Sequence, residues 1–164
     1  MKLLEIIKAK ILTQEELQRR VSMWRFLNQT TVFTNGCFDI LHRGHIEYLA
    51  QAKDLGDILI LGLNTDASVN RIKGNGRPIV DEQSRALVLA SLHFVDIVVL
   101  FNEATPYELI KLVQPDILVK GGDYSEETIV GADIVKQRGG RVVTIDLVPG
   151  FSTTGIIKKL GGLK

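Results

Sequence analysis

Two histidines carry the first chemical signal in this chain. His42 and His45 stand three residues apart with Gly44 between them, and an apolar-periodic helix starts at Ile46. At a helix start that spacing puts both imidazoles on roughly one face. Gly44 lets a ligand come close to the backbone. Just upstream, the β-rich run Thr31-Val32-Phe33-Thr34 leads into a turn of small residues, Asn35-Gly36-Cys37. A strand, a glycine turn and a helix start make an anion site, because backbone N–H groups point outward and the helix N-terminus adds partial positive charge. The N–H groups of Cys37 and Phe38 and the two imidazoles are donors for a phosphate that changes charge as it reacts. Two histidines and one cysteine do not complete a zinc site, so no metal ligand is assigned. Cys37 has no general base beside it, and its place in the turn asks only for a small residue, so it is not read as a nucleophile. His93 is read as structural.

Further polar groups follow other strand-like runs. Lys73 sits in a glycine-flanked loop, Lys73-Gly74-Asn75-Gly76-Arg77, from which a lysine can swing onto phosphate. Its plain alternative is a solvated loop lysine. Arg85, in the first turn of an expected helix, has a fork suited to a sugar phosphate, and reads equally well as a surface arginine. In Lys120-Gly121-Gly122-Asp123 the glycines permit backbone approach, and Asp123 suits a hydroxyl or a hydrated magnesium ion. Ser152-Thr153-Thr154 caps the last helix and offers a second anion site, compatible with a simple N-cap.

The run Thr34-Asn35-Gly36-Cys37-Phe38-Asp39-Ile40-Leu41-His42-Arg43-Gly44-His45 resembles the signature of the nucleotidyltransferase superfamily, which includes cytidylyltransferases and class I aminoacyl-tRNA synthetases. Four later stretches narrow the likeness: Leu63-Asn64-Thr65-Asp66-Ala67-Ser68-Val69, Lys73-Gly74-x-Gly76-Arg77-Pro78, Val119-Lys120-Gly121-Gly122-Asp123-Tyr124 and Ser152-Thr153-Thr154-x-Ile156-Ile157. In this order the set resembles the adenylyltransferases that join AMP to D-glycero-β-D-manno-heptose 1-phosphate, from about residue 12 to residue 160. The resemblance implies ATP as co-substrate with Mg²⁺, and direct in-line attack without a covalent enzyme intermediate. It implies catalytic roles for His42, His45 and Lys73. It implies nucleotide binding by Thr34, Asn35, Gly36, Cys37, Phe38, His42, His45, Lys120, Gly121, Asp123, Ser152, Thr153 and Thr154. Asp39, Asn64, Lys73 and Arg85 are the expected substrate-binding set. Some members of the family are fused to a sugar kinase, so a separate kinase is the expected source of the sugar 1-phosphate here. A homodimer is expected by analogy. Cytidylyltransferases for glycerol 3-phosphate or choline phosphate usually carry Arg-Thr-x-Gly-Ile before the Ser-Thr pair, whereas this chain reads Leu147-Val148-Pro149-Gly150-Phe151. The missing arginine weakens a CTP-using alternative that acts on glycerol 3-phosphate or a similar alcohol phosphate.

Composition bounds the rest. The chain has 164 residues, 45% apolar and 24% charged, with net charge +1. One domain of that length buries about two thirds of its unfolded surface. A charge this small makes no basic field for nucleic acid. The few aromatics form no stacking ladder for single strands. A single cysteine suits a reducing compartment. No signal peptide or membrane-spanning run is read, so a cytoplasmic enzyme is expected.

The elements that must hold these residues alternate. A helix is expected over 14–28, with Thr13 and Glu16 as a capping box, then a strand at 31–34 and a helix at 44–54. The continuous apolar run at 57–63 marks a parallel strand buried on both faces. Helices follow at 82–92, 106–113, 132–138 and 153–160, and strands at 97–101, 117–120 and 142–145. The pattern gives an α/β fold: a Rossmann-like open parallel five-stranded sheet with helices on both faces. A single nucleotidyltransferase domain is expected over 1–164, with 1–29 as a helical segment packed on it. Each motif follows a strand, so all converge beyond the strands' carboxyl ends.

Overall fold

The computed structural model describes residues 2–122 and 128–161. Its frame is set by buried strands. The apolar run in the middle of the chain forms β3 (Ile58–Asn64), buried from Leu59 onward. Around it lie β2 (Thr31–Gly36), β4 (Ile97–Phe101), β5 (Ile117–Gly121) and β6 (Arg141–Ile145). A short strand, β1 (Ile11–Leu12), pairs with Val98 and Val99 of β4. All pairings are parallel, in the order β1-β4-β3-β2-β5-β6. The sheet therefore has six strands where the sequence pattern gives five. Two residues are too few to show alternation, and β1 exists only because the edge of β4 is free to pair.

Successive strand residues face opposite sides. On one side Phe33, Ile60, Val99 and Leu118 meet Leu17, Val21 and Trp24 of α2 (Gln14–Phe26). Leu109, Ile110 and Val113 of α6 (Tyr107–Val113) and Val135 of α7 (Ala132–Gln137) complete that core. On the other side Val32, Leu59, Leu61, Val98 and Val119 meet Leu49 and Ala52 of α3 (Arg43–Lys53) and Ala86 and Leu89 of α5 (Glu82–Ser91). Two helices were not read from the sequence: α1 (Leu3–Lys8), which has no buried residue, and α4 (Asp66–Lys73). The last helix is α8 (Thr153–Gly161). Among the described residues no helix is long and apolar enough to cross a membrane.

Helix ends follow local chemistry. Thr13 Oγ1 accepts from Glu16 N at 3.2 Å, and Glu16 Oε2 accepts from Thr13 N at 2.8 Å, the reciprocal capping box. Asp81 Oδ1 accepts from Ser84 N at 2.9 Å and starts α5. Past α7, Gly139 takes φ 78°. Its N–H donates to Lys136 O, and Gly140 N–H to Val135 O, each at 2.9 Å, which closes α7 in a Schellman motif. Arg141 N then bonds Asp116 O at 2.8 Å and starts β6 beside β5.

That junction leaves no room at Gly140. A Cβ there would lie 2.6 Å from Asp116 O and 2.7 Å from Val135 Cγ1. Gly140→Ala is expected to lower stability by about 1–3 kcal/mol, the usual range for overpacking. Urea unfolding of the variant beside the parent checks it; an unchanged midpoint would mean that α7 tolerates displacement from β5.

Candidate active site

The direction of strand addition reverses at β2: β3 and β4 step away on one side, β5 and β6 on the other. Ligand crevices in open α/β sheets form at such a point. The β2–β5 register ends with Phe33 opposite Leu118, and the strands part beyond it. Tyr48 of α3 fills the gap. Its hydroxyl donates to Val119 O at 3.3 Å and shares a 2.6 Å hydrogen bond with Thr34 Oγ1. Burial pushes its pKa up to about 12, so the phenol keeps its proton. Across the same opening Lys120 Nζ donates to Asn35 Oδ1 at 2.7 Å. Burial lowers the Lys120 pKa, and among the described residues it has no ion pair.

The turn after β2 is tightly built. Phe38 has φ 44°, a left-handed conformation uncommon for an aromatic residue. The ring folds back so that a Cβ on Gly36 would lie 2.8 Å from Phe38 Cε2, which requires glycine there. The same ring meets His45 edge-on, with centroids 5.1 Å apart. His42 occupies the N-cap position of α3, but its side chain makes no capping bond. It stacks on His45 instead, at 3.8 Å between centroids and 18° between planes. The Nδ1 atoms of both histidines are buried without a hydrogen-bond partner among the described residues. Such an atom costs about 1–3 kcal/mol, and both rings line the cavity described below. Burial lowers the His42 pKa. Burial and the neighbouring His42 together lower that of His45 to about 4. At neutral pH both rings are therefore uncharged.

The start of α8 closes the far wall. Ser152 Oγ accepts from Gly155 N at 3.0 Å, and Thr153 Oγ1 donates to Ile40 O at 3.4 Å, tying α8 to the turn. Phe151 lies 6.3 Å from the His42 ring, under the Arg43 guanidinium at 5.7 Å. A Cβ on Gly44 would lie 3.2 Å from Phe151 Cβ, so glycine permits this approach. The open cleft between these walls is about 440 Å³, within the usual range for small-molecule sites.

Most of the residues singled out in the sequence meet here. Asn35, Gly36, Cys37, Phe38, His42, His45, Lys73, Lys120, Gly121, Ser152, Thr153 and Thr154 all line the cavity. Four do not, and each is engaged in holding the protein together. Thr34 is fully buried and bonded to Tyr48. Asp39, 3% exposed, accepts from Arg77 Nε at 2.6 Å, Ile79 N at 2.8 Å and Val80 N at 3.0 Å. Asn64 Nδ2 donates to Ser68 Oγ at 3.0 Å. Arg85, 2% exposed, donates to Val80 O at 2.9 Å, Cys37 O at 2.6 Å and Asp66 Oδ1 at 2.7 Å, so its fork is turned to the protein and buried away from the cavity. Lys73 is the last residue of α4 rather than a loop residue; the glycine loop begins after it. Asp123 lies outside the described residues. Sequence reasoning missed Tyr48, Arg77, Leu147, Val148 and Phe151 in the wall. Tyr48 follows His45 by three residues on one helix face, and Arg77 ends the glycine loop, so both carried a positional signal. The apolar residues before Ser152 carried none.

No group of three or more His, Cys, Asp or Glu side chains among the described residues is arranged to hold a metal. Asp39, the buried carboxylate beside the turn, is taken up by Arg77 and two backbone N–H groups. The described residues thus build no Mg²⁺ cage of their own.

The depressed His45 pKa has a consequence for stability. Its folded value of about 4 lies below the ordinary 6.5, so the unfolded chain binds the proton more readily between these values. Stability is expected to fall as pH drops from 6.5 toward about 4, with His42 acting in the same direction. His45→Gln removes much of that dependence. Melting curves across this window check it, and equal slopes for parent and variant would refute the assignment.

Residues 33–159 match the family described as cytidylyltransferase-like. The chain is 55% identical over 152 residues to the bifunctional protein HldE of Syntrophotalea carbinolica, covering 93% of this chain and 31% of that protein. It is 56% identical over 151 residues to the HldE protein of Caulobacter vibrioides, covering 92% and 31%. The chain thus spans about a third of the length of these relatives. Among solved structures, a lipopolysaccharide core biosynthesis protein from Thermoplasma volcanium aligns with 34% identity and TM-score 0.57, over 73% of this chain and 97% of that one. A pantoate–β-alanine ligase from Francisella tularensis, 17% identical over 90% of this chain and 75% of its own with TM-score 0.57, shares the fold alone. The chain belongs to the cytidylyltransferase-like family.

Proposed function

We propose that this chain transfers AMP from ATP to D-glycero-β-D-manno-heptose 1-phosphate, giving ADP-heptose and pyrophosphate. The observation that carries the reading is the stacked pair of imidazoles above a glycine turn, in a cavity that also holds Lys73, Arg77 and Lys120. A sugar phosphate oxygen attacks the α-phosphorus of ATP, and pyrophosphate leaves on the opposite side. The protein's task is positioning and charge stabilisation. His42 and His45 are neutral donors whose N–H groups meet oxygens that gain charge as phosphorus becomes five-coordinate. The lysines and the turn's N–H groups hold the phosphate chain, and the Ser152–Thr154 segment supplies hydroxyls at the start of α8. A magnesium ion carried by the triphosphate would supply charge neutralisation for the leaving pyrophosphate. Burial raises the Cys37 pKa, with nearby Lys73 and Arg85 acting against it, so the thiol stays protonated. This supports direct transfer without a covalent enzyme intermediate. Leu147, 60% exposed on the cavity wall where CTP-using relatives usually carry arginine, favours ATP over CTP. On this reading residues 1–164 work as one nucleotidyltransferase domain with 1–29 packed against it. A sugar kinase activity supplies the acceptor, and the enzyme acts as a homodimer.

A panel of nucleoside triphosphates against sugar and polyol phosphates, scored by pyrophosphate release, tests the reading. ATP with the heptose 1-phosphate is expected to react fastest. Faster release with CTP and glycerol 3-phosphate would replace it with the cytidylyltransferase alternative.

His42→Ala and His45→Ala are each expected to lower turnover by about a hundredfold to a thousandfold, the usual effect of one lost transition-state donor. The effect on ATP affinity should be smaller, because the donors act on charge that develops during reaction. Steady-state kinetics with calorimetric ATP binding checks this. A variant that turns over near the parent rate would show its histidine to be structural.

A further inference from the structure

A second hollow, about 640 Å³, lies between α4 and the segment after the glycine loop. Asp66, Asn70, Arg71, Ile79 and Asp81 are among its walls. Of the residues lining this hollow and the nucleotide-sized cavity, Arg77 alone belongs to both. Its side chain is 18% exposed and ion-paired to a carboxylate that is 1% exposed. Asp39 binds only Nε, at 2.6 Å. Among the described residues no hydrogen bond engages the two terminal nitrogens of Arg77. Asp39 also accepts from the N–H groups of Ile79 and Val80, so the backbone just after Arg77 is fixed to the same carboxylate. The Asn70 amide donates to the Arg77 carbonyl at 3.4 Å. Gly74 and Gly76, by contrast, take positive φ values with nothing near their Cβ positions. Lys73 therefore stands before a loose link and Arg77 after it, on an anchored segment.

We propose that Arg77, aimed by Asp39, anchors the phosphate of the acceptor, and that the hollow beyond it takes the polyhydroxylated part of the sugar phosphate. This rests on the adenylyl-transfer reading and assigns the acceptor's place within it. Three features argue for it. The guanidinium fork presents two parallel donors to a phosphate, and Nε is the one nitrogen that Asp39 occupies. Pairing with Asp39 removes most of the net charge, which leaves an orienting group rather than a general anion trap. The hollow adjoins the cavity at this residue, so a phosphate held there sits at the border between the two ligands while its sugar points away from the nucleotide. Amide and carboxylate groups on that side suit sugar hydroxyls rather than an apolar group. Asp39 is then a positioning residue, acting through Arg77.

The test separates the two substrates. Arg77→Lys keeps a positive charge and loses the fork. It is expected to raise the KM for heptose 1-phosphate about tenfold or more, the scale of one lost charge-assisted hydrogen bond, while leaving the KM for ATP nearly unchanged. Arg77→Ala should show the same split and recover activity when free guanidinium is added, which a purely structural role would not produce. Asn70→Asp, at an exposed position in the hollow, keeps the falsifiability if the Arg77 variants do not fold. The added negative charge should raise the sugar phosphate KM severalfold and leave that of ATP alone. Calorimetry with heptose 1-phosphate and a non-hydrolysable ATP analogue reads binding without turnover. If the parent enzyme releases no pyrophosphate but sugar phosphate binding still weakens in the variants, the reaction class is wrong and the anchor stands. If turnover is normal in the parent and the variants shift the KM for ATP instead, or neither KM, the anchor is overturned.

Discussion

A buried guanidinium holds the site together. Arg85 is 2% exposed, and a charge so placed is tolerated only when its donors are used. Its three hydrogen bonds reach three separate segments: the carbonyl of Cys37 in the turn after β2, the carbonyl of Val80, and the carboxylate of Asp66 at the start of α4. Asp39 works from the other side of the turn with the opposite charge, gripping Arg77 and the backbone of Ile79 and Val80. Burial raises its pKa, and the three donors outweigh that effect, so the net shift is downward. The turn and the segment after the glycine loop are thus fixed to each other by charges of both signs. Arg85 thus ties Cys37 O, and with it the turn, to the protein's own framework.

Above that base the sheet splits and the polar groups of the cavity are left incomplete. Tyr48 keeps β2 and β5 apart beyond Phe33 and Leu118, which makes room for a ligand at the reversal of strand order. Among the described residues two imidazole nitrogens beside this cavity have no partner, and a half-buried lysine in its wall has its hydrogen bond to a neutral amide. On the proposed reading, an arriving anion is met by donors of this wall. Donors already desolvated and aimed need little rearrangement at the moment of reaction, the condition under which electrostatic stabilisation is most effective.

The site also divides its charge. The imidazoles are held neutral by burial, so at neutral pH they contribute directed N–H groups rather than fixed positive charge. Net positive charge comes from Lys73, Lys120 and, offset by Asp39, Arg77. A neutral donor gains most where charge grows, whereas a fixed cation also attracts the ground-state triphosphate. On the proposed reading the stacked pair serves the reacting phosphorus, and the lysines serve the ends of the triphosphate.

The sequence by itself determined the alternation of strands and helices, the buried central strands and the convergence of the motifs on one crevice. These follow from local rules: apolar runs that only a doubly covered strand can bury, a capping box at Thr13, glycines that end α7, a strand–glycine–histidine turn. It did not determine β1, whose two residues have no pattern of their own and become a strand only because β4 offers an open edge. Nor did it separate groups that face the ligand from groups that hold the scaffold. His42 and Arg85 are both polar residues at helix starts, and the one lines the cavity while the other is consumed by three protein acceptors. Asp39 and Arg77 reverse the expectation together, because a contact across 38 residues fixes the carboxylate inside and leaves the guanidinium's terminal nitrogens at the cavity. Periodicity and spacing record which residue types are available along the chain. Which of their hydrogen bonds remain free is decided by burial and by partners distant in sequence, and only the folded chain brings those together.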